Sequence, residues 1–162
     1  MSAADPTKRC TLTAVTLDEG SLGRGNPDQE HERATAIWDI LERNYFAVPG
    51  HDGGPYALHV ALVEKKLALE VRNSASEPVV THFLSLTPFR RVIKDYRLVC
   101  ESYYAAIRSA SPAQIEAIDM GRRGLHDEAA ELLRERLAGK IEVDFDTARR
   151  LFTLIFALHW KG

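Results

Sequence analysis

Three groups of side chains in this sequence have types and spacing that chemistry can use. The first is basic: Arg90, Arg91 and Lys94 fall in the first two turns of a long amphipathic segment. Helix amides already carry partial positive charge there, and local helix chemistry favours acids. Cations at that point mark a candidate site for a phosphate, a carboxylate or an acidic partner surface, unless Asp95 or Glu101 pairs with them. The second group is the doublet Arg122-Arg123, set between Gly121 and Gly124 on what reads as a helix-breaking turn. The third is polar. His59 alternates in sense with Leu58 and Val60, and Glu70 and Arg72 with Leu69 and Val71. One face of a hairpin therefore carries imidazole, carboxylate and guanidinium. Joined by His82 or Thr81, it would suit acid–base work or a small polar ligand; otherwise it is the wet face of an antiparallel sheet.

Other constellations point away from chemistry. The loop Gly20-Ser21-Leu22-Gly23-Arg24-Gly25 precedes a helix, yet it has neither the dinucleotide fingerprint nor the Walker pattern. Asp28, Glu30 and Glu32 already answer the dipole of the helix that follows, so the loop reads as a connector. His31-Glu32-Arg33-Ala34-Thr35 lacks the second histidine of a zinc-protease helix. Cys10 and Cys100, the two cysteines, make neither a zinc spacing nor a disulfide framework. No cofactor and no metal are expected, no nucleophile stands beside a base, and no catalytic residue is assigned.

The elements that must position these groups follow from periodicity. Residues 11–17 are rich in β-branched types and read as a strand. Asn26, Pro27 and Gln29 supply cap, first-turn proline and capping box for a helix to about residue 43, with Ala34, Ile37, Trp38, Leu41 and Tyr45 on its buried stripe. A turn-dense loop over residues 49–55 ends it. Alternation then predicts strands through Tyr56–Leu62 and Leu67–Val71, joined at Glu64-Lys65-Lys66 as a hairpin. A strand at residues 79–86 is apolar on both faces, which predicts a central or helix-covered position. From Phe89, apolar residues recur in steps of three and four to Ile107, a stripe roughly 30 Å long. Ser111, Pro112 and Gln114 open a short helix, a further helix runs from Leu125 to Leu137, and Asp144 or Asp146 caps a last one that is apolar nearly all round. Such a helix belongs deep in a core or under a subunit contact. The fold class is α+β: an antiparallel sheet of about four strands with four to five helices on it, in a single domain over residues 10–162 behind a flexible tail at residues 1–9.

Net charge is −2 with both signs mixed, so no global field favours nucleic acid. No apolar run approaches about 18 residues, which predicts no membrane insertion and a cytoplasmic location.

Four stretches together carry a family likeness: PDQEHERA at residues 27–34, THFLSLTPFRRVIKDY at 81–96, IEAIDMGRRGLH at 115–126 and DFDTARRLFTLIFALHWKG at 144–162. They resemble the small alphaproteobacterial proteins of uncharacterised protein family 0262. That family is associated with inhibition of assembly of the actin-like cytoskeletal protein MreB, so the resemblance implies a protein partner rather than a substrate. The expectation is a non-enzymatic, cytoplasmic interaction or regulatory module that also admits a homodimer. Its contact is expected at Arg90, Arg91 and Lys94, with Arg122 and Arg123. The alternative is a small-molecule or phosphate binder, with hydrolysis in view, using His59, Glu70, Arg72 and His82.

Overall fold

A computed structural model describes residues 9–159; the expected tail lies outside them except for Arg9. In chain order the elements are β1 (Leu12–Leu17), α1 (Glu19–Leu22), α2 (Pro27–Glu42), β2 (Phe46–Ala47), β3 (Tyr56–Val63), β4 (Lys66–Asn73), β5 (Pro78–Ser85), a 3-10 turn (Thr87–Phe89), α3 (Arg90–Ser109), α4 (Pro112–Leu137), β6 (Glu142–Val143) and α5 (Phe145–His159). The chain is α+β, with five α-helices among the described residues and a four-stranded sheet in the order β1-β3-β4-β5. β3–β4 and β4–β5 pair antiparallel, as the alternation predicts. β1 joins β3 in parallel, so the sheet is mixed at that edge. The helix α2 intervenes between the two strands and returns the chain in the same direction, as parallel neighbours require.

All helices of the core lie on one side. Leu58, Val60, Leu67, Leu69, Val71 and Leu84 face it and enter one buried cluster with Ile40, Phe89, Val92, Ile93, Leu133 and Phe152. An apolar void of only about 30 Å³, bounded by Leu67, Leu69, Leu137 and Leu154 among others, remains where α4 and α5 meet the sheet. α5 is the buried helix its composition predicts, packed between α2 and α4. Asp144 caps it, accepting from the Thr147 amide at 2.8 Å. Phe152 is fully buried, edge-on to Tyr96 at 5.7 Å and beside His126 at 5.9 Å.

Several expectations need correction. Gly121 and Gly124 do not break a helix: residues 112–137 form one α4, with the expected cap and box at Ser111 and Gln114. A helical interior glycine costs only about 1 kcal/mol, less than packing against α3 and α5 supplies. The fully buried residues of α2 are Arg33, Ala36 and Ile40; of the predicted stripe Ile37 and Leu41 pack against the core, while Trp38 is 64% exposed and Tyr45 is exposed too. Hydrophobicity could not choose an arginine, but Arg33 donates to the Gly23 carbonyl at 2.8 Å and so hides its charge usefully. The connector holds the short α1, capped by Asp18, and the small ladder β2–β6 was not foreseen. On α3, Tyr104 and Ile107 belong to the apolar stripe yet are exposed, although the helix packs on α4. Finally β5, expected to be central or helix-covered, is not central: it lies at an edge, with Leu84 turned into the core.

Candidate functional site

The basic start of α3 lies in a groove. The two-residue turn between β3 and β4 places Glu64 (φ 50°) and Lys65 (φ 68°) in the left-handed region. That is the primed turn a tight hairpin needs, made here without the usual asparagine and glycine. It projects Lys65 over the end of β5 and the first turns of α3. Between them runs an open groove of about 530 Å³ lined by Lys65, Arg90, Lys94, Arg97 and His159, with Thr87 beside them and Leu62, Leu86 and Ile93 as apolar floor. Among the described residues no carboxylate lines it. Lys65, Arg90 and Lys94, like Arg24, Lys66 and several other cations, form no ion pair with a described residue. Arg97 Nε is buried without a hydrogen-bond partner among the described residues, and Nη2 reaches the His159 carbonyl at 3.5 Å. Like charges gathered from the β3–β4 turn and α3 raise the local potential and repel one another, so the groove favours an anionic occupant.

The anion would meet side chains rather than bare amides. The Phe89 and Arg90 amides bond to the Leu86 and Thr87 carbonyls, because the 3-10 turn runs directly into α3. Arg91 stands apart: its side chain is 95% exposed, points out of the groove and faces Asp95 at 3.8 Å. Arg122 and Arg123 do not join either. Both pair with Asp119 one turn earlier on α4, and Arg122 also lies over the Tyr103 ring at 4.5 Å. The Arg122 contact holds the Asp119 carboxyl below its ordinary range. The residues that sequence reasoning missed are Lys65, Arg97 and His159. Only Lys65 left a local signal, as a cation in a tight turn; the other two are brought in by the crossing of α3 and α5.

The polar sheet face is partly assembled. His59 pairs across with Glu70, and Glu70 with Thr81, on the face turned away from the helices. His82 is opposite Leu69 and so belongs to the other face. Thr16 supplies a neighbour the sequence did not suggest, its hydroxyl 2.7 Å from His59 Nδ1. Glu70 is engaged by Arg72, whose Nε donates to it at 2.6 Å. The carboxylate is thus committed to a guanidinium rather than orienting the imidazole, and no relay from acid to base to hydroxyl is formed. No group of His, Cys, Asp and Glu among the described residues could hold a metal ion, and no described helix is long and apolar enough to cross a membrane.

Comparison with known proteins gives a family without a named activity. The model of Uncharacterised protein family (UPF0262) matches residues 9–161. A UPF0262 protein of Methylobacterium radiotolerans is 68% identical over 151 residues, covering 93% of this chain and 94% of the relative. One from Xanthobacter autotrophicus is 66% identical over 152 residues, 93% of each, and one from Azorhizobium caulinodans is 64% identical over 164 residues and the whole of both chains. No solved structure matches.

Proposed function

The chain belongs to Uncharacterised protein family (UPF0262), and from that premise we propose that it is a non-enzymatic regulatory module which binds an acidic segment of a protein partner in the groove at the start of α3. The observation that carries this is the lining: Lys65, Arg90, Lys94, Arg97 and His159 over an apolar floor, with no acid among the described residues to neutralise them. Acidic side chains of the partner answer the rim, and its apolar residues cover Leu62, Leu86 and Ile93. A partner in the cytoplasm fits this reading, and the association of the resembling family makes MreB the first protein to test.

Fluorescence anisotropy with a labelled polyglutamate peptide, and co-sedimentation with purified MreB, test the two levels separately. Arg90→Gln with Lys94→Gln should weaken both at least several-fold, and added salt should shrink the difference. Arg91→Gln, outside the groove, should change neither. Removing cations near a helix start should leave the fold as stable or slightly more so. Salt-independent binding, or a double variant that binds as well as wild type, overturns the groove. Peptide binding without MreB binding overturns only the named partner.

The second reading is a small polar ligand on the open sheet face, favoured by the hydroxyl–imidazole pair of Thr16 and His59. His59→Ala abolishing binding of a small ligand, with the groove variants unaffected, would select it.

A further inference from the structure

The strand β5 has the composition of an interior strand and the position of an outer one. Pro78–Ser85 contains no charged residue, although edge strands are ordinarily protected by charges, bulges or a covering element. The opposite edge is protected in that way. At β1 the Asn44 side chain takes the Leu12 amide at 2.7 Å and donates to the Leu12 carbonyl at 3.0 Å, the pairing shifts after Leu12, and α2 packs alongside. At β5 the one irregularity falls at its N-terminal end, opposite Val71 and Arg72, and leaves Val80–Ser85 regular. Among the described residues, no element other than β4 pairs with it and no side chain bonds to its backbone. Its outward face exposes Phe83 (53%), and Val63 (43%) is exposed on the same face of β3.

We propose that β5 pairs antiparallel with β5 of a second copy of this chain, joining two sheets into one of eight strands across a two-fold axis. The strand suits itself as a partner. Centred on Thr81, the antiparallel alignment sets Thr81 opposite its own counterpart and Phe83 opposite Val79 of the partner subunit. Threonine pairs and aromatic–β-branched pairs are favourable across strands. The same alignment puts Ser85, next to the basic groove, opposite Glu77 of the partner subunit, so an acid approaches the cationic end of each strand. Because a two-fold contact is isologous and β1 is blocked, assembly stops at two copies instead of growing into a fibre. Each groove lies at one outer end of the shared strand pair.

Sedimentation velocity on the full chain, over a dilution series from the low micromolar range upward, reads the assembly. Wild type is expected to sediment as a dimer that dissociates on dilution. Thr81→Lys sets two ammonium groups opposite each other and should weaken the dimer at least several-fold; Thr81→Glu should do likewise. An equimolar mixture of the two variants should recover the dimer. Thr81 is exposed, so the circular dichroism and melting of Thr81→Lys should match dilute wild type, which separates lost pairing from lost folding; Thr81→Glu stands across from Glu70 within its own sheet and should keep the fold while melting slightly lower. Hydrogen exchange gives an independent readout: amides of residues 80–85 should become protected as concentration rises. A wild type that stays monomeric through the series overturns the proposal and leaves the edge to a strand of another protein. A dimer that ignores both Thr81 variants overturns it too.

Discussion

Lys65→Gly should make the protein more stable while weakening its groove, and the two effects can be sized separately. Lys65 has φ 68° and follows Glu64 at φ 50°. A side chain in the left-handed region costs roughly 1–2 kcal/mol, which glycine escapes. Glycine returns about 0.5–1 kcal/mol of that by loosening the unfolded chain. The net gain is about 0.5–1 kcal/mol, a rise in Tm of about 1–4 °C for a chain of this size. The charge term has the same sign, since Lys65 shares its groove with Arg90, Lys94 and Arg97 and no described acid. Binding moves the other way: one exposed cation lost from the rim costs an anionic partner about 0.2–1 kcal/mol. Urea unfolding followed by fluorescence gives the first number, and anisotropy of a labelled polyglutamate peptide gives the second. If Lys65→Gly lowers the urea midpoint, the turn is not strained and the hairpin geometry described here is wrong. Unchanged peptide binding alongside the expected stabilisation would remove Lys65 from the site and leave Arg90, Lys94 and Arg97 to carry it.

Phe152→Ala should cost about 3–5 kcal/mol by calorimetry, since the ring is fully buried beside Tyr96 and His126; a Tm within a degree or two of wild type would make α5 peripheral. Gly124→Ala should stabilise by about 0.5–1 kcal/mol, because α4 is continuous there and a Cβ meets nothing within 4 Å; destabilisation would restore the break. His126 should make the fold acid-sensitive. Burial holds its pKa below 6.5; the nearby Arg149 and Arg122 charges add to the depression, while Asp127 and the bond to the Arg149 carbonyl oppose it. A base with a lowered native pKa is protonated first in the unfolded chain, so stability is full above about 6.5 and falls as pH drops below it. Chemical unfolding at pH 7 and pH 5.5 should show a decline that His126→Gln reduces; an equal decline in that variant assigns it to other groups.

Much of this architecture is local and was legible in the sequence. The boxes at Asn26/Gln29 and Ser111/Gln114 start their helices as read, because a cap is a contract between residues three apart. The β3–β4 hairpin follows from alternation, and the burial of α5 from its lack of a polar face. The cations Arg90 and Lys94 stood out because they oppose the dipole of their own helix.

What tertiary structure decided are the features whose energies come from distant neighbours. Periodicity counts apolar side chains, so it could not bury Arg33, whose guanidinium pairs with Glu30 and donates to a carbonyl ten residues away. Glycine propensity put a break in α4 that packing on two other helices overrides. Whether His82 or Thr81 joins Glu70 was open in the sequence until the β4–β5 register set Thr81 opposite Glu70 and His82 opposite Leu69. The groove required Lys65 from a turn, Arg97 from mid-helix and His159 from the last helix, residues with no relation along the chain. The apolar strand β5 could be recognised as apolar from its residues alone. That it ends at an open edge depends on which strands pair, because pairing is settled by contacts far apart in sequence.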